Sequence, residues 1–286
     1  MFRPHHVSLP VVLCALLAAP AQAAISRTYV ASYGNDANTA YSCDFAHPCR
    51  TFQTAFSQTT SGGEILAVDG SGYGTIAIDR SVSIIANPGA FAGIGVFSGA
   101  GVSIAAAGVN VVLRGLTING QGGTYGVSMG NGASLSIEDC VIANFSSGNY
   151  GVYVNGPVSV RMVNTLVRDS YWAVYLAGGA TASISSSKFL GNYVGIIGYT
   201  TTATTTSIAI TDAVVSGGSY GIVSQTGFAG AITRVTVGDS TITRNSVIGL
   251  SQYAPSGTAT LESLGNNAVR QNNVNTDGTI TTVAPL

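Results

Sequence analysis

The sequence predicts an all-β chain, a right-handed parallel β-helix solenoid with a short N-terminal capping helix. Three observations carry that expectation. The first is an internal repeat of 23 to 27 residues over six segments: 111–133, 134–157, 158–181, 182–206, 207–232 and 233–259. A fixed period of this size with β-type content marks a solenoid of stacked rungs. The second is a submotif, apolar–x–x–small–x–apolar, as in Ile137-x-x-Cys140-x-Ile142, Ile184-x-x-Ser187-x-Phe189 and Val237-x-x-Ser240-x-Ile242. Its outer positions are five apart, so they do not share a face of one uninterrupted strand, whose faces alternate with period two. Two short strands meeting at a bend, with the small residue in the corner, satisfy it. An amphipathic helix would repeat its apolar residues at three, four and seven. The third is composition: 46% hydrophobic, 8% charged and 37 glycines. That combination suits a stacked aliphatic interior closed by tight turns, and disfavours helix.

The elements follow in order. Residues 1–23 read as a secretory signal peptide: Arg3 supplies the basic start, 11–19 is apolar but too short to span a membrane, and Ala21-Gln22-Ala23 is a small–x–small cleavage site. Residues 24–60 form an N-terminal cap, in which Pro48 followed by Phe52, Ala55 and Phe56 predicts a short amphipathic helix covering the open end. Residues 61–270 form the β-helix proper, with less regular early rungs and a loop at 89–101. Within each full rung a second submotif, aromatic–small–aliphatic (Tyr125-Gly126-Val127, Tyr150-Gly151-Val152, Trp172-Ala173-Val174, Tyr220-Gly221-Ile222), gives a second corner. A polar corner is expected at Asn144, Asp169, Asn192 and Asn245, since Asn tolerates left-handed geometry. The threonine-rich 200–206 reads as a long polar loop, and 271–286 as a polar tail or a last rung.

On these residues the chain resembles the pectate-lyase-like right-handed β-helix superfamily. The opening segment adds to the likeness through Gly34-Asn35-Asp36-Ala37-Asn38, Pro48-Cys49-Arg50-Thr51-Phe52 and Gly62-Gly63-Glu64-Ile65-Leu66. The resemblance implies the fold; activity does not follow, because that superfamily holds lyases, hydrolases, epimerases, esterases and non-catalytic members. Its calcium-dependent lyases cluster several acidic ligands beside an Arg or Lys base, and its hydrolases use an aspartate trio near a His. Neither set is evident here, where His47 is the one histidine beyond the leader.

Stacking turns distant residues into neighbours, so candidate sites are ladders. An outward aromatic ladder runs through Tyr125, Tyr150, Trp172 and Tyr220, with Tyr153 and Tyr175 on an adjacent row and Tyr193 one residue out of step. Flat rings with polar edges suit sugars, or they shield the corner by stacking on each other. A polar ladder contains Gly115, Asp139, Asn164, Ser186, Asp212 and Asp239; Asp212 and Asp239, with Lys188 a rung earlier, are the weak catalytic candidates, Ca²⁺ entering only in a lyase reading. Cys43 and Cys49 are expected to form a disulfide contributing about 2 kcal/mol, in preference to a metal site with His47. Cys140, at a small corner position, is expected to be a buried free thiol. No metal site and no resident cofactor are expected. Net charge of −1, with 11 basic and 12 acidic residues, gives no stripe for nucleic acid. The expectation is therefore an exported, monomeric protein, periplasmic or extracellular, without a membrane span. Its outer face would bind a polysaccharide or a cell-envelope component. The alternatives are a divergent polysaccharide lyase or glycoside hydrolase, and a structural surface protein.

Overall fold

A computed structural model describes residues 25–284; the signal peptide expected at 1–23 lies outside the described residues. The chain winds into a parallel β-solenoid of about eight turns. Every inter-strand pairing among the described residues is parallel, and each central rung contributes three short strands. One sheet has nine strands of two to five residues, from Ser71–Gly72 to Ala268–Arg270. The other has eighteen and falls into two columns. The first column contains Ser134–Glu138, Ser159–Val163 and Thr181–Ser185, and the second contains Tyr125–Met129, Tyr150–Asn155 and Trp172–Ala177. The two columns join because Tyr220–Gly238 and Ile248–Ser263 are long enough to serve both.

The interior is one column of aliphatic side chains, including Leu113, Ile137, Met162, Ile184, Ile210 and Val237, all essentially inaccessible. These are the first positions of the five-residue submotif, and Ile118, Ile142, Val167, Phe189, Val215 and Ile242 are the last. The corner between them is made by the residue before the small one. Gly115, Asp139, Asn164, Ser186, Asp212 and Asp239 all have positive φ, between 46° and 72°. Left-handed backbone at six successive corners explains why this ladder is Gly, Asp, Asn and Ser. The small residues that follow are buried. Their hydroxyls or thiol donate to backbone carbonyls, as in Thr165 Oγ1 to Val163 O (3.0 Å), Ser187 Oγ to Ser185 O (2.7 Å) and Ser240 Oγ to Gly238 O (2.7 Å). No polar group is thereby stranded in the corner.

The second expected polar corner separates into two rows. Asn144 and Asp169 have left-handed backbone, but their counterparts in later rungs are Gly191, Gly217, Arg244 and Gln271. Asn192 and Asn245 come one residue later and are buried. There Asn192 accepts from Ser170 N (3.0 Å) and donates to Val167 O (3.0 Å), and Asn245 donates to Asn272 Oδ1 (2.8 Å). The sequence alone merges the two rows because Asn serves both a left-handed bend and an inward hydrogen-bonding position.

Two segments differ from the sequence expectation. The stretch 89–101 is not a loop: it contains the strand Ala92–Val96 and the start of Ala100–Ile104. Their Gly and Ala residues pack on the following rung despite low β-propensity, so tertiary stacking overrides composition. The threonine-rich stretch is not a long polar loop either. Thr200 closes one strand, Thr205 opens the next, and Thr200 and Thr206 are buried. The hydroxyls of Thr200 and Thr233 bond at 2.7 Å, and Thr226 donates to Ser256 O (2.7 Å), so threonines tie a lateral extension of the late rungs together.

A helix spans Phe52–Gln58, with Phe52, Ala55 and Phe56 buried and Thr51 as N-cap. Arg80 lies 4.0 Å from the Phe56 ring and donates to Thr59 O (3.1 Å) and to Phe56 O. Cys43 and Cys49 are bonded, with Cα atoms 5.0 Å apart. Cys140 is a buried free thiol, pushed up to about 12 by burial. At the C-terminal end Val274–Asp277 and Ile280–Thr282 pair with Ile248–Ser263, adding a final rung. No helix among the described residues is long and apolar enough to cross a membrane.

Candidate functional site

The outward face of the second column carries the aromatic residues, and strand register decides which of them meet. Tyr125, Tyr150 and Trp172 occupy one row. Their rings stack, with centroids 5.3 Å apart for the first pair and 6.2 Å for the second, at interplanar angles of 21° and 15°. Tyr153 and Tyr175 occupy the next row and stack at 5.3 Å. The close approach of rungs needed for this comes from the small residue beside the row: a Cβ at Gly126 would lie 2.4 Å from Gly151 O, and one at Gly221 2.3 Å from Gly249 O. Stacked rings cover one another's faces. Burial, then the hydroxyls of Tyr153 and Tyr150, push the Tyr175 phenol well above its ordinary value. Tyr150 is raised for the same reasons, burial first and then Tyr125 and Tyr153. Both stay protonated and act as neutral surface.

The stack ends at Trp172, because Val194 is its neighbour in the following rung and Tyr220 comes one rung later. Tyr193 does not fill the gap. It stacks on Tyr171 at 4.3 Å, one position earlier on the strand. Where the ring stack stops, a groove of about 400 Å³ opens. Val194, Ile197 and Val223 form a small apolar cluster separate from the solenoid interior and give it a floor. Tyr171, Trp172, Tyr193 and Tyr220 line one side, while Tyr253 and Gln225 come from the row that continues into the lateral extension. Asp277 and Ser251 continue the Ile197 and Val223 row into the last rungs.

Of the seven aromatic residues singled out from sequence, Trp172, Tyr193 and Tyr220 line this groove; Tyr125, Tyr150, Tyr153 and Tyr175 belong to the stack beside it. Tyr171, Tyr253 and Asp277 were missed. Tyr171 precedes the repeat's aromatic position by one residue, a doubling visible in Tyr171-Trp172; Asp277 lies beyond the six segments, three residues after Val274 as Tyr175 is after Trp172, and Tyr253 lies further along the strand that begins at Ile248.

The weak catalytic candidates have other partners. Asp212 accepts from Ser186 Oγ (2.9 Å) and Asp239 from Asn266 Nδ2 (2.8 Å), each linking one left-handed corner to the next rung. Lys188 lines a recess with Asn164 and Ser186 that neither carboxylate lines. His47 stacks on Tyr41 at 4.1 Å and contacts Asp44 through Nδ1 at 3.1 Å. Among the described residues no group of three His, Cys, Asp or Glu side chains is placed to hold a metal ion.

A family described as "Right handed beta helix region" matches residues 100–274. The chain belongs to this right-handed β-helix family. The match spans the full rungs and supplies their handedness, which parallel pairing alone leaves open. Among solved structures, the crystal structure of pectate lyase Pel9A is similar to this β-helix with a TM-score of 0.46 and 15% identity, covering 86% of this chain and 79% of that one. No curated protein matches the sequence.

Proposed function

We propose that this right-handed β-helix is exported and binds a polysaccharide, or a glycan-bearing component of the cell envelope, in the groove where the aromatic stack ends. The observation that carries the reading is the groove itself: an apolar floor walled by Trp172, Tyr220, Tyr193 and Tyr253 with polar atoms at its margin. Sugar rings present apolar C–H faces and a hydroxyl rim, and aromatic planes with adjacent hydrogen-bonding groups match both. The stack of Tyr125, Tyr150, Tyr153 and Tyr175 continues beside the groove and offers ring edges and hydroxyls, its faces being covered by stacking, to a polymer that runs along the solenoid. The leader at 1–23 and the Cys43 to Cys49 bond support export. The Phe52–Gln58 helix closes the N-terminal end, burying Phe52 and Phe56 over the first rungs. Binding without turnover is favoured over lyase or hydrolase chemistry because Asp212 and Asp239 are engaged in corner geometry.

The test is affinity across a panel of neutral, acidic and basic polysaccharides, followed by mass spectrometry of any soluble products. The expected result is saturable binding of at least one polymer, weakened more than about tenfold by Trp172→Ala with Tyr220→Ala, and no shortened or unsaturated oligosaccharide. Released products would establish an enzyme in place of a binder. No binding anywhere on the panel would overturn the reading.

A further inference from the structure

Asp277 is distinguished by what it lacks. The chain has 12 Asp and Glu residues, all within 25–284. Eleven of them (12 − 1) hold a hydrogen-bond or ionic partner: Arg residues for Glu64, Asp79, Glu138 and Asp169, His47 for Asp44, and hydroxyl, amide or backbone donors for the other six. Asp277 alone has none among the described residues, and it lines the aromatic groove. No Lys or Arg lines that groove. An unmatched carboxylate at the end of an apolar trough, flanked by electron-rich ring faces, is a site for a cation. A ring quadrupole attracts an ammonium over its face, and Trp and Tyr are the strongest such partners.

We propose that the groove selects a glycan whose sugar carries a protonated amino group, the ammonium lying between Asp277 and the ring of Tyr253 one rung away, with Tyr220 and Trp172 further along the groove against the preceding sugars. This rests on the glycan-binding reading above and narrows it to a ligand class. An N-acetylated sugar of the same backbone keeps the ring-face contacts but loses the charge. A polyuronate places like charge against Asp277 with no groove cation to offset it. The preference therefore runs from amino sugar to neutral sugar to acidic sugar, the reverse of what a basic track would give.

Trp172 is the one tryptophan of the chain, so its fluorescence reports occupancy of this groove directly. The probes are hexamers of β-1,4-linked glucosamine, of the fully N-acetylated counterpart, and of galacturonic acid, titrated at low and at high salt. The glucosamine hexamer should bind about tenfold tighter than the acetylated one, with the gap narrowing as salt rises. Asp277→Asn should reduce that gap to within about twofold, with the thermal midpoint unchanged, because Asp277 is exposed and unpartnered. A gap retained in Asp277→Asn, or acetylated or acidic hexamers binding as tightly as the basic one, would overturn the amino-sugar inference and leave glycan binding standing. If none of the three hexamers, nor any polymer of the wider panel, is bound, glycan binding fails and the amino-sugar preference fails with it.

Discussion

A single backbone angle accounts for much of what this sequence spells. The corner after the first column demands positive φ in rung after rung, and Asp139, Asn164, Ser186, Asp212 and Asp239 are the residue types that tolerate it. Carboxylates recurring at a fixed period resemble a catalytic or calcium-binding ladder until the backbone is known. The second left-handed row is a sharper case, because it contains Arg244 at φ 55° where the two preceding rungs use Gly191 and Gly217. Arg244 is exposed and holds no side-chain partner among the described residues, so its strain is uncompensated. Arg244→Gly should therefore raise stability by about 0.5–1 kcal/mol, the gain from relieving left-handed strain outweighing the added freedom of the unfolded chain. A urea titration measures this, and a lower midpoint for the variant would contradict the assignment of strain. Cys140 makes a second residue-scale prediction. Its thiol is buried and its pKa raised by burial, so thiol reagents should label it in denaturant and leave it unmodified in the folded protein.

Between elements, stability comes from side chains that cross rungs. Glu138 meets Arg114 and Arg161 from the two flanking rungs and accepts from Ser136 Oγ (2.8 Å). The Ser136 hydrogen bond, opposed by burial and reinforced by Arg114 and Arg161, holds its carboxyl below the usual 4.5. A carboxylate whose pKa is lower folded than unfolded stabilises above the unfolded value and loses that contribution as pH falls through the folded value. Glu138→Gln should thus lower the urea midpoint at neutral pH and flatten its decline in acid. Parallel pH profiles for parent and variant would show that the three-rung ion pair contributes nothing. The N-terminal segment before the first rungs is held through hydrogen bonds to Asp36. Its carboxylate accepts from Arg50 N (2.8 Å), Thr51 N (2.9 Å) and Thr51 Oγ1 (3.0 Å), and so holds the N-cap residue of the Phe52–Gln58 helix. Asp36→Ala should cost about 1–2 kcal/mol, with faster amide exchange confined to the capping segment and first rungs. Exchange that speeds uniformly along the chain would mean the cap is not a separate unit. Elements differed in how plainly the sequence spelled them. The Phe52–Gln58 helix and the full rungs were legible because period and burial agree. The strands in 89–101 were not, since Gly and Ala there pack only because the next rung presses on them. The groove was half legible: Trp172 and Tyr220 lie on the repeat, whereas Asp277 lies beyond its six segments and Tyr253 on a strand that runs past the aromatic submotif, so neither carries the signal that marks the row.

At the scale of the whole molecule the solenoid is quasi-one-dimensional. Each rung contacts its two neighbours, so the cost of a defect depends on where along the axis it falls. Val152 and Thr276 test this, since register places them on the same inward row, one in a central rung and one in the last. Val152 is fully buried in the second column, paired with Val127 on one side and Val174 on the other. A carboxylate there has no cation or hydrogen-bond donor within the stacked interior, and burying it costs more than a marginally stable chain holds in reserve. Val152→Asp should give no folded protein, by circular dichroism and by loss of a cooperative melt. Thr276 sits in the terminal rung, is exposed and pairs with Leu250 on one side only. Thr276→Asp should change stability by no more than about 0.5 kcal/mol. The contrast is the informative part, because both substitutions place the same charge on one inward row of the column. Comparable damage from the two would mean that the end rung is as tightly covered as the middle. The aromatic groove would then be roofed at its C-terminal end by something other than Val274–Asp277, and Asp277 would not be free to meet a ligand.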